Sequence, residues 1–96
     1  MKFYFMHQMN GLILQHQEKI IDAIFYNSYV DMPQNKEDVE GFMQRIHEDA
    51  LRMLEKANLK MQAVTYARNM SMIQLTLDNL FMKPAQKKHR TVILRR

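Results

Sequence analysis

The chain has 96 residues, a formal net charge of +4, 47% apolar residues and 25% charged residues. This is the length of one domain and a globular rather than a disordered composition. With no cysteine, two glycines and two prolines, it excludes a disulfide scaffold, a thiol nucleophile and Cys-based metal sites, and it disfavours a many-turned sandwich or barrel.

The first residues, MKFYFM, are bulky and aromatic and read as a strand or as an anchor into a core. From Met9 to Val30, Ile13, Ile20 and Ile24 recur at helical spacing, widened by Leu14, Ile21 and Phe25. That pattern predicts an amphipathic helix, with Asn10 as its cap. The polar stretch Gln15-His16-Gln17-Glu18-Lys19 marks an irregularity within it. Six of the nine aromatic residues lie in residues 1–30, so this part is expected to supply much of the core.

Asp31-Met32-Pro33-Gln34-Asn35 is the clearest break, because the residue before a proline is biased away from helix. Asn35 reads as the cap of a second helix over residues 36–57, with Glu37 and Asp38 in its first turn. Val39, Met43, Ile46, Ala50, Met53 and Ala57 form a heptad-like seam on it. A third seam runs through Leu59, Ala63, Tyr66, Met70, Ile73, Leu77 and Leu80. The two seams are out of phase at Asn58, a residue that tolerates a left-handed backbone. The segment is therefore either a helical hairpin bent at Asn58 or one long broken helix. Pro84 is expected to end it. Thr91-Val92-Ile93-Leu94 reads as a short extended piece that would pair with the MKFYF segment or across a dimer axis.

The fold expected from these elements is mainly all-α: a three-helix arrangement, extended only at its two termini, in a dimeric protein. Residues 1–82 form the domain and residues 83–96 a basic tail. The body holds eight Lys/Arg and all ten acids, for a net −2, whereas the tail holds six Lys/Arg and no acid, for a net +6. Such tails commonly contact polyanions, and Lys87, Lys88, Arg90, Arg95 and Arg96 are the residues expected to do so.

The third helix is rich in methionine and poor in charge, with Lys60, Arg68 and Asp78 alone over residues 59–82. Met61, Val64, Ala67, Met72, Leu75 and Phe81 add apolar groups off the seam. A small chain with so wide an apolar helix is expected to cover it with a second copy or a partner. Tyr66, Met70, Ile73, Leu77, Leu80 and Phe81 are the expected association residues.

No constellation of catalytic residues emerges. His47-Glu48-Asp49-Ala50-Leu51 begins like a zincin helix but lacks the second histidine. His47 is expected to face solvent. The acidic pairs Glu18/Asp22 and Glu37/Glu40 have nothing converging on them. With only Gly11 and Gly41, glycine-rich phosphate loops, dinucleotide fingerprints and nucleophile elbows are excluded. No run approaches the ~18 apolar residues of a membrane span, and the N-terminus lacks the pattern of a secretory signal. The expectation is a cytoplasmic, non-enzymatic interaction protein needing no cofactor or metal. It would be a homo-oligomer and a partner-binding adaptor, chaperone or inhibitor of a larger assembly. The alternative is a DNA- or RNA-associated regulator using the basic tail.

Overall fold

A computed structural model describes the backbone of residues 1–95 and the side chains of residues 1–81. Three strands come first: β1 (Lys2–Met6), β2 (Gly11–His16) and β3 (Lys19–Phe25). They form an antiparallel sheet in the order β1-β2-β3. A 3-10 turn (Lys36–Asp38) leads into α1 (Val39–Ala57), and α2 (Ala63–Arg95) follows. The architecture is therefore α+β, two layers deep, and the all-α expectation is wrong in its first third.

The stretch expected to be one helix is a β-hairpin. Its four isoleucines are β-branched residues that suit a pleated surface as well as a helix face. The polar run at Gln15–Lys19 is the reversal between β2 and β3, with His16 paired to Lys19. Gln17 supplies the left-handed residue there, at φ 60. Asn10 likewise turns the first hairpin at φ 52 rather than capping a helix. β1 pairs with β2, Tyr4 opposite Ile13, so it does not pair with residues 91–94, which lie within α2.

Strand alternation sorts the side chains. Phe3, Phe5, Leu12 and Leu14 point to one face and are buried there with Tyr26. Both helices cover that face, α2 over β1 and α1 over β2 and β3. From α1 come Val39, Phe42, Met43, Ile46, Ala50 and Met53, and from α2 Met70, Ile73 and Leu77. Phe42 stands edge-on to both Phe5 and Tyr26, at 6.1 and 5.1 Å between ring centroids.

The predicted second helix and its start are present. Asn35 Oδ1 accepts the backbone N–H of Asp38 at 3.1 Å. The out-of-phase seams resolve as a bend: Asn58 is left-handed at φ 59, ψ 42. The Leu59 N–H then donates to the Leu54 carbonyl at 2.9 Å, a Schellman-type ending with Leu54 and Leu59 on its apolar side. α2 continues through Pro84, where the sequence predicts a stop.

Each sheet edge is handled differently. At β1, Asn69 on α2 accepts the outward N–H of Phe3 at 2.7 Å. At β3, a register irregularity between Leu14 and Gln15 interrupts the ladder, and the outward Ala23 N–H is taken by Asp22 Oδ1 at 2.8 Å. Bulges and inward charges of this kind discourage strand addition.

Candidate functional site

Among the described residues, no element covers the sheet face opposite the helices. By register, Lys2, Tyr4 and Met6 of β1, Gly11, Ile13 and Gln15 of β2, and Ile20, Ala23 and Phe25 of β3 share it. Ile13, at its centre, is 2% exposed yet lies outside the core cluster. Its neighbours shield it, and they are themselves open to solvent: Phe25 is 56% exposed and Ile20 59%. The Phe25 ring lies across Gly11, so close that a Cβ on Gly11 would stand 2.8 Å from Phe25 Cε1. The missing side chain is what lets the aromatic ring lie down on the sheet. Among the strand residues on this face Lys2 is the one with a formal charge, and its Nζ sits 5.3 Å from the Tyr4 ring centroid.

Beside the core runs a polar network centred on the buried Tyr26 and Asp49. Tyr26 Oη donates to Asp49 Oδ2 at 2.6 Å. Arg52 also donates to Asp49, and Arg45 Nε approaches it at 3.9 Å. Arg45 lies over the Tyr26 ring, 5.2 Å from its centroid, and bonds Asp31 at 2.9 Å. Burial, and then the bond to the Asp49 carboxylate, push the Tyr26 hydroxyl far above the usual phenol range. The Asn27 backbone N–H, and then Arg45, hold Asp31 below the usual carboxylate range. Asp31 in turn raises the Arg45 guanidinium. The network locks the loop after β3 onto α1. Among the described residues no buried side-chain nitrogen or oxygen lacks a partner, so the network has the character of a structural clasp. A groove of about 360 Å³ between residues 29–34 and α1 opens beside it, with Arg45 on its wall already paired.

A third cluster lies where α1 and α2 meet. His47 Nδ1 is 2.9 Å from Tyr66 Oη, and burial raises the Tyr66 hydroxyl above its usual range. His47 is thus half-buried against α2 rather than facing solvent. It shares a groove of about 280 Å³ with Met43, Met70, Ser71 and Gln74.

The six expected association residues divide in two. Met70, Ile73 and Leu77 are buried in the chain's own core, and Tyr66, Leu80 and Phe81 pack against it half-buried. The sheet, which the sequence reading did not foresee, is what covers them. The exposed apolar residues of α2 are instead the off-seam Val64, Met72 and Leu75, at 59%, 59% and 52%. The side chains of Lys87, Lys88, Arg90, Arg95 and Arg96 lie outside the described residues. Among the described residues, no three His, Cys, Asp or Glu side chains gather as a metal site, and no helix is long and apolar enough to cross a membrane. The open sheet face was missed because it depends on recognising β2 and β3; the signal was four isoleucines flanking a polar five-residue stretch.

No protein-family model matches the chain, and no curated protein and no solved structure matches it either.

Proposed function

We propose that this chain is a non-enzymatic, cytoplasmic interaction protein that self-associates, and that the contact is the uncovered sheet face rather than the α2 seam. The observation that carries the reading is the exposure of Phe25 and Ile20 around a buried Ile13 on a face that no second layer covers among the described residues. With the strand edges capped or interrupted, association by adding strands is disfavoured, and stacking face to face remains. Two copies meeting there bring only Lys2 as charge, so like-charge repulsion at the centre is absent. Three strands of this length span roughly 15 by 20 Å, well short of the ~800 Å² that each partner contributes to a standard interface. The dimer is therefore weak and concentration-dependent.

Sedimentation equilibrium across a wide concentration range tests it. Phe25→Asp is expected to abolish association with the fold intact by circular dichroism, and Met72→Asp to leave association unchanged. A wild-type protein that stays monomeric at high concentration overturns the reading; loss of association in Met72→Asp alone moves the contact to α2.

A second reading, phosphate contact through the basic tail, is favoured by the charge segregation between residues 1–82 and 83–96. Gel shifts with and without residues 83–96, at two salt concentrations, test it. Equal binding by both forms refutes a role for the tail.

A further inference from the structure

The groove between α1 and α2 brings ligand chemistry to the border of the core: Met43 and Met70 pack in the core and also line the groove beside His47. Met43 and His47 are four residues apart on α1 and therefore share a helix face. Met70, from α2, lines the same groove. The three offer two thioether sulfurs and one imidazole, all uncharged ligands. Hard cations seek carboxylates and carbonyls, whereas thioethers select soft d10 ions, above all monovalent copper. His47 also has the support that metal-binding histidines have: Nδ1 meets a hydroxyl, Tyr66 Oη at 2.9 Å, which orients the ring and leaves Nε2 for another partner.

We infer that the groove lined by Met43, His47 and Met70 is a binding site for a soft monovalent cation, Cu(I), held by the two thioethers and by Nε2 of the imidazole. In the bound state the imidazole proton resides on Nδ1 and is donated to Tyr66 Oη, so Nε2 presents its lone pair. The neutral ligand set adds no charge, so the complex carries only the ion's single positive charge, less costly beneath the surface than a divalent ion's. Met43 and Met70 are 5% and 4% exposed, so the ion would sit beneath the surface, entering past Ser71 and Gln74. Zn(II) and Ca(II) are poorly matched to these donors. The inference is independent of self-association through the sheet.

The test is an anaerobic titration of the full chain with Cu(I) against a chromophoric Cu(I) chelator. Ag(I), a redox-inert stand-in, is followed in parallel through the methionine methyl NMR signals. The expected result is one ion per chain, with the Met43 and Met70 methyls shifting while those of the exposed Met9 and Met72 stay in place. Met43→Leu with Met70→Leu keeps the packed volume close to the original and is expected to abolish the site. Tyr66→Phe, which removes only the supporting hydroxyl, is expected to weaken it about tenfold. No competition with the chelator overturns the inference, as does affinity that survives the double leucine variant, or methyl shifts confined to Met9 and Met72. The wild-type methyl readout decides the matter even if a variant misfolds.

Discussion

Tyr26 Oη reaches Asp49 Oδ2 at 2.6 Å, joining the end of the hairpin to the middle of α1. The two residues are 23 apart in sequence, and Asp49 is 5% exposed. The arginines on the far side of Asp49 keep most of their side chains exposed or half-exposed, 64% for Arg52 and 48% for Arg45. Removing the carboxylate therefore frees them to rehydrate but leaves the phenol without its acceptor. Asp49→Ala is expected to destabilise by about 1–3 kcal/mol, the cost of a buried polar group left unmatched, measured by urea unfolding at neutral pH. Arg52→Ala should cost less, because Asp49 keeps Tyr26 and the nearby Arg45.

The same pair predicts alkaline sensitivity. A phenol in the unfolded chain ionises near pH 10.0, and in the folded chain it is held protonated well beyond that. The folded state then binds the proton more tightly, so its stabilising contribution is complete below about pH 10 and declines as pH rises above it. Tyr26→Phe removes this linkage. The urea midpoint of the native protein should fall more steeply above pH 10 than that of Tyr26→Phe, narrowing the gap between them; parallel curves would contradict the assignment.

Ile73 and Leu77 belong to the chain's own core, at 1% and 0% exposure. Ile73→Ala is expected to cost about 2–5 kcal/mol in thermal or urea unfolding. Ile73→Asp should unfold the chain outright rather than yield a folded monomer, which circular dichroism and sedimentation together would distinguish.

Asn58 ends α1 in the left-handed region at φ 59. Asn58→Ala is expected to lose about 1 kcal/mol, since a Cβ-bearing residue without a local hydrogen-bonding side chain is strained there. Asn58→Gly should be close to neutral or slightly stabilising. Paired urea titrations of the two variants check the ordering.

Gly11 and Phe25 should be coupled. Gly11→Ala forces the Phe25 ring off the sheet, and Phe25→Ala removes the obstacle. A double-mutant cycle is expected to show an interaction of about 0.5–1 kcal/mol, with the alanine at position 11 better tolerated once the ring is gone.

The second half of the fold was readable from residues alone because its cues are local and agree with one another. Asn35 caps, Pro33 breaks, the Val39–Met53 seam repeats at helical spacing, and the phase slip falls on the one residue there suited to a left-handed bend. The first half was not, because its second turn lacks the usual residues, and Asn10-Gly11 at its first turn also fits a helix cap ahead of an apolar run. Gln17 occupies a positive-φ position where glycine or asparagine would announce a hairpin, and Ile13, Ile20 and Ile24 satisfy a helical spacing by coincidence. The error then spread to the proposed site. Without a sheet to lie on, Met70, Ile73 and Leu77 looked like surface in search of a partner. The Tyr26–Asp49 bond and the His47–Tyr66 contact join residues distant in sequence, and no local pattern announces either.

Asn69 takes the outward amide of Phe3, so the second helix does more than roof the sheet: it stoppers the strand that begins it. Should α2 lift away while the hairpins persist, MKFYFM would present a bare ladder of donors and acceptors, aromatic on both faces and low in charge. Such a ribbon invites identical ribbons to stack beside it into fibrils. Amyloid growth in this protein would then start from a partly opened chain, well before global denaturation, and Asn69→Ala should shorten its lag time.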